Sequence, residues 1–314
     1  MATYALRRLV ATIPVLFLIS AITFFTIRLL PGDPALAILG PEADLNLLED
    51  LREELGLNKN VLVQYAEWLG NAVQLDFGES RRSGDTVAAL VSDRLEVTIE
   101  LGILSMILAI AIAVPVGLLA GSRPNTPFDY FGTLFAVAGA AIPNFWLGLV
   151  LILVFAVELG WFPALGWVSF RDDPIENLRG LLLPALAIGV AQSAALARQT
   201  RAAMVEVMQQ DYVRTARAKG LRERTVILRH GFRNALIPVV TVLGLQLSNI
   251  LGGAIIIESV FSLPGVGKLL IDSIFNRELV TVQALALMLA LSVAFTNLVV
   301  DVSYAYLDPR IRYD

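Results

Sequence analysis

The chain contains no cysteine, only one histidine and few charges. With no cysteine in 314 residues, a disulfide-stapled secreted scaffold is excluded. A lone His230 excludes a metal site built on several imidazoles. Charged residues make up 17%, whereas soluble globular chains carry about 25%. That shortage argues against a soluble enzyme, and the oily composition argues against a disordered scaffold. No strand-like alternation recurs at the roughly 10-residue spacing of a membrane β-barrel. What is present is apolar: 56% of residues are hydrophobic and mean hydropathy is +0.70. Composition therefore indicates a polytopic membrane protein.

A helical span needs about 20 mostly apolar residues. Six stretches qualify: Leu9–Leu30, Val97–Ala120, Phe131–Val157, Leu181–Ala197, Ala235–Ile257 and Val282–Leu307. The fourth is the shortest. Arg7 and Arg8 precede the first, as they would in a signal peptide. That run is too long for the apolar region of a signal peptide and no small-x-small cleavage site closes it, so a retained span is expected. The fold class expected is all-α, with six transmembrane helices.

Placing the charges orients the chain. With the N-terminus in the cytoplasm, cytoplasmic segments hold 14 Lys and Arg and external segments hold nine, in keeping with the positive-inside bias. Arg28 sits near the outer end of the first span, where it can snorkel. Residues 31–95 carry 12 acids and 5 bases, whereas residues 198–234 carry 9 bases and 3 acids. An even number of spans places both termini inside.

The external loop 31–95 opens with Leu30-Pro31-Gly32-Asp33-Pro34, a helix-stopping turn. Leu47 to Leu55 reads as a short acidic helix with Leu47, Leu48, Leu51 and Leu55 on one face, and Gly56 is placed to cap it. A second amphipathic helix is expected from Val61 to Val73, with Tyr65, Trp68 and Leu69 on its apolar side. Leu75 to Ser80 reads as a turn. So few large apolar side chains bury little core alone, so this loop is expected to be a cap packed on the membrane surface. In the loop 158–180, Trp161, Phe162, Pro163 and Trp167 suit an interfacial aromatic belt. In the loop 258–281, a Pro264-Gly265 turn precedes an apolar helix from Leu269 to Phe275. It suits either an element dipping into the outer mouth of a pore or an ordinary interfacial helix.

The segment 198–234 is the most informative. Good helix formers from Arg198 to Met208 carry the fourth span into the cytoplasm. Asp211 can N-cap a short helix, Tyr212 to Lys219, and Gly220 can end it in the left-handed conformation. Arg217 and Lys219 fall in its last turn, where cations suit the helix dipole. Thr215, Ala216 and Ala218 are small enough to admit a close partner, and Arg214 and Arg217 offer forked donors. The basic charge by itself fits the positive-inside bias or anionic lipid equally well.

The order Arg214-Thr215-Ala216-Arg217-Ala218-Lys219-Gly220, followed by Leu236-Ile237-Pro238, resembles the cytoplasmic coupling loop of ABC importer permeases. The form is that of the dipeptide/oligopeptide/nickel permease family. The general consensus is Glu-Ala-Ala, three residues, Gly, and a downstream Leu-Pro. Here Arg214 stands at the acidic position and the proline comes later, as is usual for the peptide branch. The resemblance covers nearly the whole chain. It includes Leu30 to Pro34, Leu55-Gly56-Leu57, Gln64-Tyr65, Asp76-Phe77-Gly78 with Ser80, Arg233 to Pro238, Glu258 to Gly267, and Asp308-Pro309-Arg310. Gly40 to Asp44, Asn71 to Gln74 and Glu158 to Trp161 are similar to glutathione-type members.

The resemblance implies a type I ABC importer permease fold in the bacterial inner membrane. This chain, 1–314, would be one transmembrane permease domain with the cap loop 31–95 and the coupling loop 198–234 inside it. It implies a second related permease, two ABC ATPase subunits and an extracytoplasmic substrate-binding protein as partners. ATP and Mg would be held by the ATPase subunits, with no cofactor on this chain. No Gly-x-x-x-x-Gly-Lys-Ser/Thr loop occurs, and Gly265-Val266-Gly267-Lys268 lacks that pattern. The chain is therefore not expected to be an enzyme. ATPase coupling falls to Asp211, Tyr212, Arg214, Thr215, Ala216, Arg217, Ala218, Lys219 and Gly220. External gating or binding-protein docking falls to Glu258, Phe261, Pro264, Gly265 and Gly267.

Polar residues inside spans usually face a bundle interior, which makes Asn144, Gln192, Gln246, Asn249 and Asn297 candidates for the translocation pathway, with Asp301 nearer the inner end. Interhelical hydrogen bonding explains each amide equally well. Pro143 and Pro184 can kink their spans. The expected cargo is a short peptide, di-, oligo- or glutathione-like, with nickel chelates and oligosaccharides as alternatives. An ATP-independent secondary transporter would want buried Glu, Lys or His deep in the spans and repeated halves, and neither is seen. An intramembrane hydrolase would need a nucleophile–base pair, and His230 has no companion base.

Overall fold

The computed structural model describes residues 2–29, 34–40, 44–54 and 56–307. Expectations that fall on Pro31-Gly32-Asp33, Pro41 to Ala43, Leu55, Asp308-Pro309-Arg310 and the side chains of Asn249 and Asp301 lie outside the described residues. The described elements are helical, apart from one bridge pairing Glu79 with Thr86. In order they are α1 (Ala2–Arg28), α2 (Pro34–Leu39), α3 (Leu45–Glu54), α4 (Val61–Val73) and α5 (Val87–Ser122). Then follow α6 (Pro127–Ala141), α7 (Asn144–Leu151, continuing as a π-helical turn over Ile152–Glu158) and α8 (Pro174–Met208). The chain goes on through α9 (Asp211–Ala218), α10 (Glu223–Thr225, leading into a π-helical stretch Val226–Phe232), α11 (Arg233–Val260), α12 (Val266–Phe275) and α13 (Leu279–Leu307).

Local chemistry explains many starts. Asn60 Oδ1 accepts the Leu62 amide at 2.9 Å and opens α4, the residue type and position favoured for an N-cap. Thr86 Oγ1 accepts from Ala89 at 3.3 Å and opens α5. Asp173 Oδ1 accepts from Ile175 and Glu176, both at 3.0 Å, and opens α8. α6 instead begins on Pro127, whose missing N–H is no loss in a first turn.

Three helices are long and apolar enough to cross a membrane unbroken: Val87–Ser122, Pro174–Met208 and Leu279–Val300. Two bent pairs qualify together, Pro127–Ala141 with Asn144–Glu158 and Glu223–Leu236 with Pro238–Gly244, and Val10–Thr26 is a shorter apolar helix. The third apolar stretch, expected to be one kinked span, is broken by 98°. The reason is local. Ile142 is forced extended (φ −85°, ψ 120°) by the following proline, and Pro143 itself (φ −62°, ψ 134°) starts a new helix. Pro115 and Pro184, by contrast, are absorbed inside α5 and α8. The fourth stretch is longer than its apolar run suggested. At 35 residues α8 extends about 52 Å, well beyond a hydrocarbon core of about 30 Å.

α5 and α8 pack backbone to backbone. A Cβ on Gly117 would stand 2.5 Å from Thr200 Cβ, and one on Gly121 would stand 2.5 Å from Met204 Cβ and 2.7 Å from the Arg201 carbonyl. On the outer half, Gly189 sits against Ser105 and Leu108. Small residues at these positions allow the close approach that drives helix association where lipid removes the hydrophobic driving force. α11 completes the core. Val97 and Leu101 of α5, Leu181 and Ile188 of α8, and Ala254, Ile257 and Phe261 around the end of α11 form one buried cluster.

The 31–95 loop, expected to be a cap, is tied to α1. The Tyr65 and Ser20 hydroxyls share a hydrogen bond of 2.7 Å, and the Tyr65 ring meets Phe17 and Phe24 edge-on at 5.8 and 5.4 Å. Trp68 stacks obliquely on Phe24 at 5.5 Å. On the far side, Ser80 Oγ donates to Glu278 Oε2 at 2.6 Å, which links the cap to the start of α13.

Replacing Gly121 with Leu should lower stability by about 1–3 kcal/mol through overpacking, read as a drop in melting temperature of the detergent-solubilised protein. Gly70, inside α4 with nothing within 4 Å of its Cβ position, is the contrast: Gly70→Ala should stabilise by about 0.5–1 kcal/mol.

Candidate functional site

The end of the molecule expected to face the cytoplasm is built on the projection of α8 and the short helix α9. Gln209 and Gln210 turn the chain, and Gln210 rather than Asp211 occupies the N-cap. Asp211 is the first helical residue, where its charge still complements the dipole. Gly220 takes φ +78° and its amide bonds the Arg217 carbonyl at 2.9 Å, the left-handed stop expected from sequence.

Val213 and Ala216, three residues apart, are buried. They pack with Ala203, Met204 and Met208 of α8, Val226 and Ala235. Ala216 thus faces inward and does not belong to the presented surface, where the sequence reading had placed it. A helix of eight residues needs one apolar contact line to stay folded on the protein, and Val213 and Ala216 supply it. Asp211, Tyr212, Arg214, Thr215, Arg217, Ala218, Lys219 and Gly220 remain exposed. The Arg217 fork is engaged within the loop. Its Nη2 donates to Glu223 Oε1 at 2.7 Å and its Nε to Glu223 Oε2 at 3.2 Å. This bonding raises the Arg217 guanidinium above its ordinary value. Arg214 pairs weakly with Asp211 at 3.4 Å, on an open surface.

A second tie holds this end, and it was not foreseen from sequence. Asp129, buried in the first turn of α6, binds Arg201 of α8 through both carboxylate oxygens, one of them Oδ2 accepting from Nη2 at 3.0 Å. Asp129 Oδ2 also accepts the Asn125 amide at 2.9 Å. Forked arginine–carboxylate pairs are directional as well as strong, so α6 is fixed to the same helix that carries α9.

At the outer end, the Glu258-to-Gly267 motif has a structural explanation. Glu258 is fully buried near the end of α11. Thr98 Oγ1 of α5 donates to its Oε1 at 2.7 Å, and the Lys268 amide donates to its Oε2 at 3.0 Å. Thr98 Oγ1 in turn accepts the Val266 amide at 3.0 Å. A carboxylate from one helix and a hydroxyl from another thereby satisfy the first-turn donors of α12, which otherwise lack partners. Gly265 is required because its Cβ would lie 2.2–2.4 Å from the Glu258 carboxyl atoms, and a Cβ on Gly267 would lie 2.4 Å from Ile255 Cα. Phe261 fills the central core, against Gly148 of α7.

Glu258, Phe261, Gly265 and Gly267 are therefore internal, and only Pro264 of this group is exposed. The surface that the motif offers a docking protein is correspondingly small. Glu100 of α5, also not singled out from sequence, accepts from Trp167 Nε1 at 3.0 Å and Asn177 Nδ2 at 2.8 Å. Trp167 is thus pinned to the helices, whereas Trp161 is exposed and meets Phe155 at 5.8 Å.

The intramembrane amides are only partly brought together. Gln246 Nε2 donates to the Gln192 carbonyl at 3.1 Å, and its buried Oε1 has no partner. Asn144 opens α7 at the 98° break, its Nδ2 lying 3.3 Å from the Cβ position of Gly253. Asn297 is exposed on α13.

Two family models account for nearly the whole chain. The model for the binding-protein-dependent transport system inner membrane component matches residues 113–313, and that for the N-terminal part of such membrane components matches residues 1–102. The chain is 42% identical over 316 residues to the oligopeptide transport system permease protein AppB of Bacillus subtilis (strain 168), covering 100% of both. It is 44% identical over 313 residues to the glutathione transport system permease protein GsiC of Escherichia coli (strain K12), again covering 100% of both. Among solved structures, the inward-facing methionine ABC transporter MetNI aligns with a TM-score of 0.56 at 17% identity, over 70% of this chain and 96% of that one. An amino acid ABC transporter solved with histidines aligns with a TM-score of 0.53 at 15% identity, over 69% and 94%. The chain belongs to the ABC importer permeases, in their peptide-transport family. It is accordingly a multi-pass protein of the bacterial inner membrane that works with an ATPase component and a substrate-binding component. As the membrane component, it carries no ATPase site of its own.

The brace at Glu258 yields a graded expectation. Glu258→Gln presents an NH2 group to donors and should cost about 1–3 kcal/mol. Gly265→Ala drives a methyl group into the carboxylate and should cost more. Melting temperatures of the two purified variants give the order directly.

Proposed function

We propose that this chain forms, with a second related permease, the transmembrane pathway through which short peptides enter the cell, after delivery by an extracytoplasmic substrate-binding protein. Two ABC ATPase subunits bind ATP and Mg on the cytoplasmic side, and this chain binds no cofactor. The six apolar segments act as six spans with both termini in the cytoplasm, and residues 1–314 act as one permease domain. Residues 31–95 form its outer cap and residues 198–234 its coupling loop. Support for peptide cargo comes from the oligopeptide and glutathione permeases that match along their full length.

The observation that carries the coupling reading is the two-sided character of α9. Its inner side is locked to α8 and Val226 through Val213 and Ala216, and its outer side presents Tyr212, Arg214, Thr215 and Lys219. A partner that grips the outer side therefore moves α8 and the start of α11 with it. Closure of the ATPases around ATP pulls α9, and the helices alternate between inward and outward access as packed bodies. Arg217 acts mainly by closing the loop onto Glu223, and the Asp129–Arg201 pair carries the movement on to α6. The amides Asn144, Gln192, Gln246, Asn249 and Asn297 line the pathway. Cargo recognition resides mostly in the binding protein.

The test uses the reconstituted complex with its binding protein. Tyr212→Ala combined with Arg214→Glu should leave the permease folded and basal ATP hydrolysis intact while peptide-stimulated hydrolysis and uptake fall at least tenfold. Wild-type stimulation in this variant refutes the coupling assignment. Ala216→Leu should behave differently, lowering the melting temperature because the site is buried. The cargo is tested by melting the cognate binding protein against peptides, glutathione, nickel chelates and oligosaccharides; stabilisation by a non-peptide alone rejects the peptide reading.

A further inference from the structure

A cavity of about 550 Å³ opens on the external side between the cap, the outer end of α1 and the α12–α13 connection. Its size falls in the range of sites for small molecules, about 300–1,000 Å³. Trp68 forms an apolar wall, and Arg28, Arg81, Arg82 and Arg277 also line it. These cations lack anions: none of the four forms an ion pair among the described residues, and Arg28 instead lies over the Phe24 ring at 5.0 Å. The carboxylates that could neutralise them are mostly engaged elsewhere. Glu67 is held by Lys59 at 2.8 and 2.9 Å, and Glu278 accepts from Ser80 and Thr281 at 2.6 and 2.9 Å. Of the three lining acids only Glu67 forms an ion pair among the described residues, with Lys59, and Glu79 and Glu278 are set against four arginines. The surplus is cationic, although the 31–95 loop that supplies Arg81 and Arg82 is negative overall.

An independent feature points to a ligand. Gln64 lines the same cavity and is 8% exposed. Its Nε2 donates to the Leu57 and Lys59 carbonyls at 3.2 and 2.7 Å, and its Oε1 is buried with no partner. A buried acceptor left unpaired costs about 1–3 kcal/mol, so a turn of the Gln64 amide that brings Oε1 to a donor in the cavity is favoured.

We infer that this cavity is a permease-side binding site for a short peptide. The arginine group takes the free C-terminal carboxylate, Gln64 Oε1 accepts a peptide N–H, and Trp68 carries side-chain contact. Forked guanidinium donors suit a carboxylate in a way that an amide cannot replace. The inference rests on the peptide reading above and adds to it a second point of recognition, outside the binding protein and the pathway.

The test measures equilibrium binding of trialanine and its C-terminal carboxamide to the assembled permease–ATPase complex in phosphatidylcholine nanodiscs, with the binding protein omitted. The free acid should bind at least tenfold more tightly than the amide. Arg82→Gln and Arg277→Gln should each reduce this preference, the double variant should abolish it, and Gln64→Leu should weaken both ligands; each variant is first shown to elute as an assembled complex. Equal binding of acid and amide, or undiminished preference in the double variant, overturns the site. So does loss of trialanine binding when phosphatidylglycerol is added to the nanodisc, which would assign the cavity to lipid. Uptake with the binding protein present is scored separately. Normal peptide uptake without acid–amide discrimination removes only this site, whereas absent peptide uptake removes the peptide reading itself.

Discussion

Close backbone approach between α5 and α8 is the constraint on which the rest of the molecule depends. Gly117 and Gly121 leave no room for a Cβ along this seam, and Gly189 leaves little. Inside a bilayer, apolar side chains gain little by leaving lipid, so tight contact between small residues must hold the helices together. Once the two long helices are joined, their ends become platforms. The cytoplasmic projection of α8 carries Arg201, which receives α6, and Met204 and Met208, which receive α9. The outer half of α5 carries Thr98 and Glu100, which receive the α11–α12 turn and the Trp167 loop.

The two ends solve the same problem in different ways. Each places a short helix against the long pair and must satisfy or offset its unpaired backbone groups. α9 does so with a left-handed glycine and a buried Val213–Ala216 line, which leaves its polar side open. α12 does so with an internal carboxylate and the Thr98 hydroxyl, and its first turn is buried. The first arrangement suits a handle gripped from outside, and the second suits an internal brace. Under the proposed coupling role, the exposed side of α9 is where the ATPase component of this permease family would grip.

Local pattern carried much of this architecture. The 3.6-residue periodicity after Asn60 marked α4 at the boundaries observed, Val61 and Val73. Gly220 announced the end of α9. Pro143 marked a break in the third apolar stretch, whereas the placement of Gly148 of α7 against Phe261 and Ala187 has no local signal. The inward turn of Ala216 was legible in its i, i+3 spacing from Val213, although its small size invited the opposite reading. Contacts between distant residues were beyond reach: Asp129 meets Arg201 across 72 positions, and Thr98 meets Glu258 across 160. Glu258 and Gly265 read as surface signals because a motif of polar, proline and glycine residues looks the same whether it binds a partner or caps a buried helix.

The central claim is that α9 and the inner end of α8 move as one body. The absence of cysteine from this chain means that cysteines placed at Arg214 and Arg198 are its only spin-labelling sites. The distance between them, measured by pulsed electron resonance in the complete transporter, should stay unchanged between nucleotide-free and ATP-trapped states, while the distance from Arg214 to a label at Phe275 on the outer side changes. A shift in the Arg214–Arg198 distance on trapping would show that α9 moves independently of α8 and contradict the account.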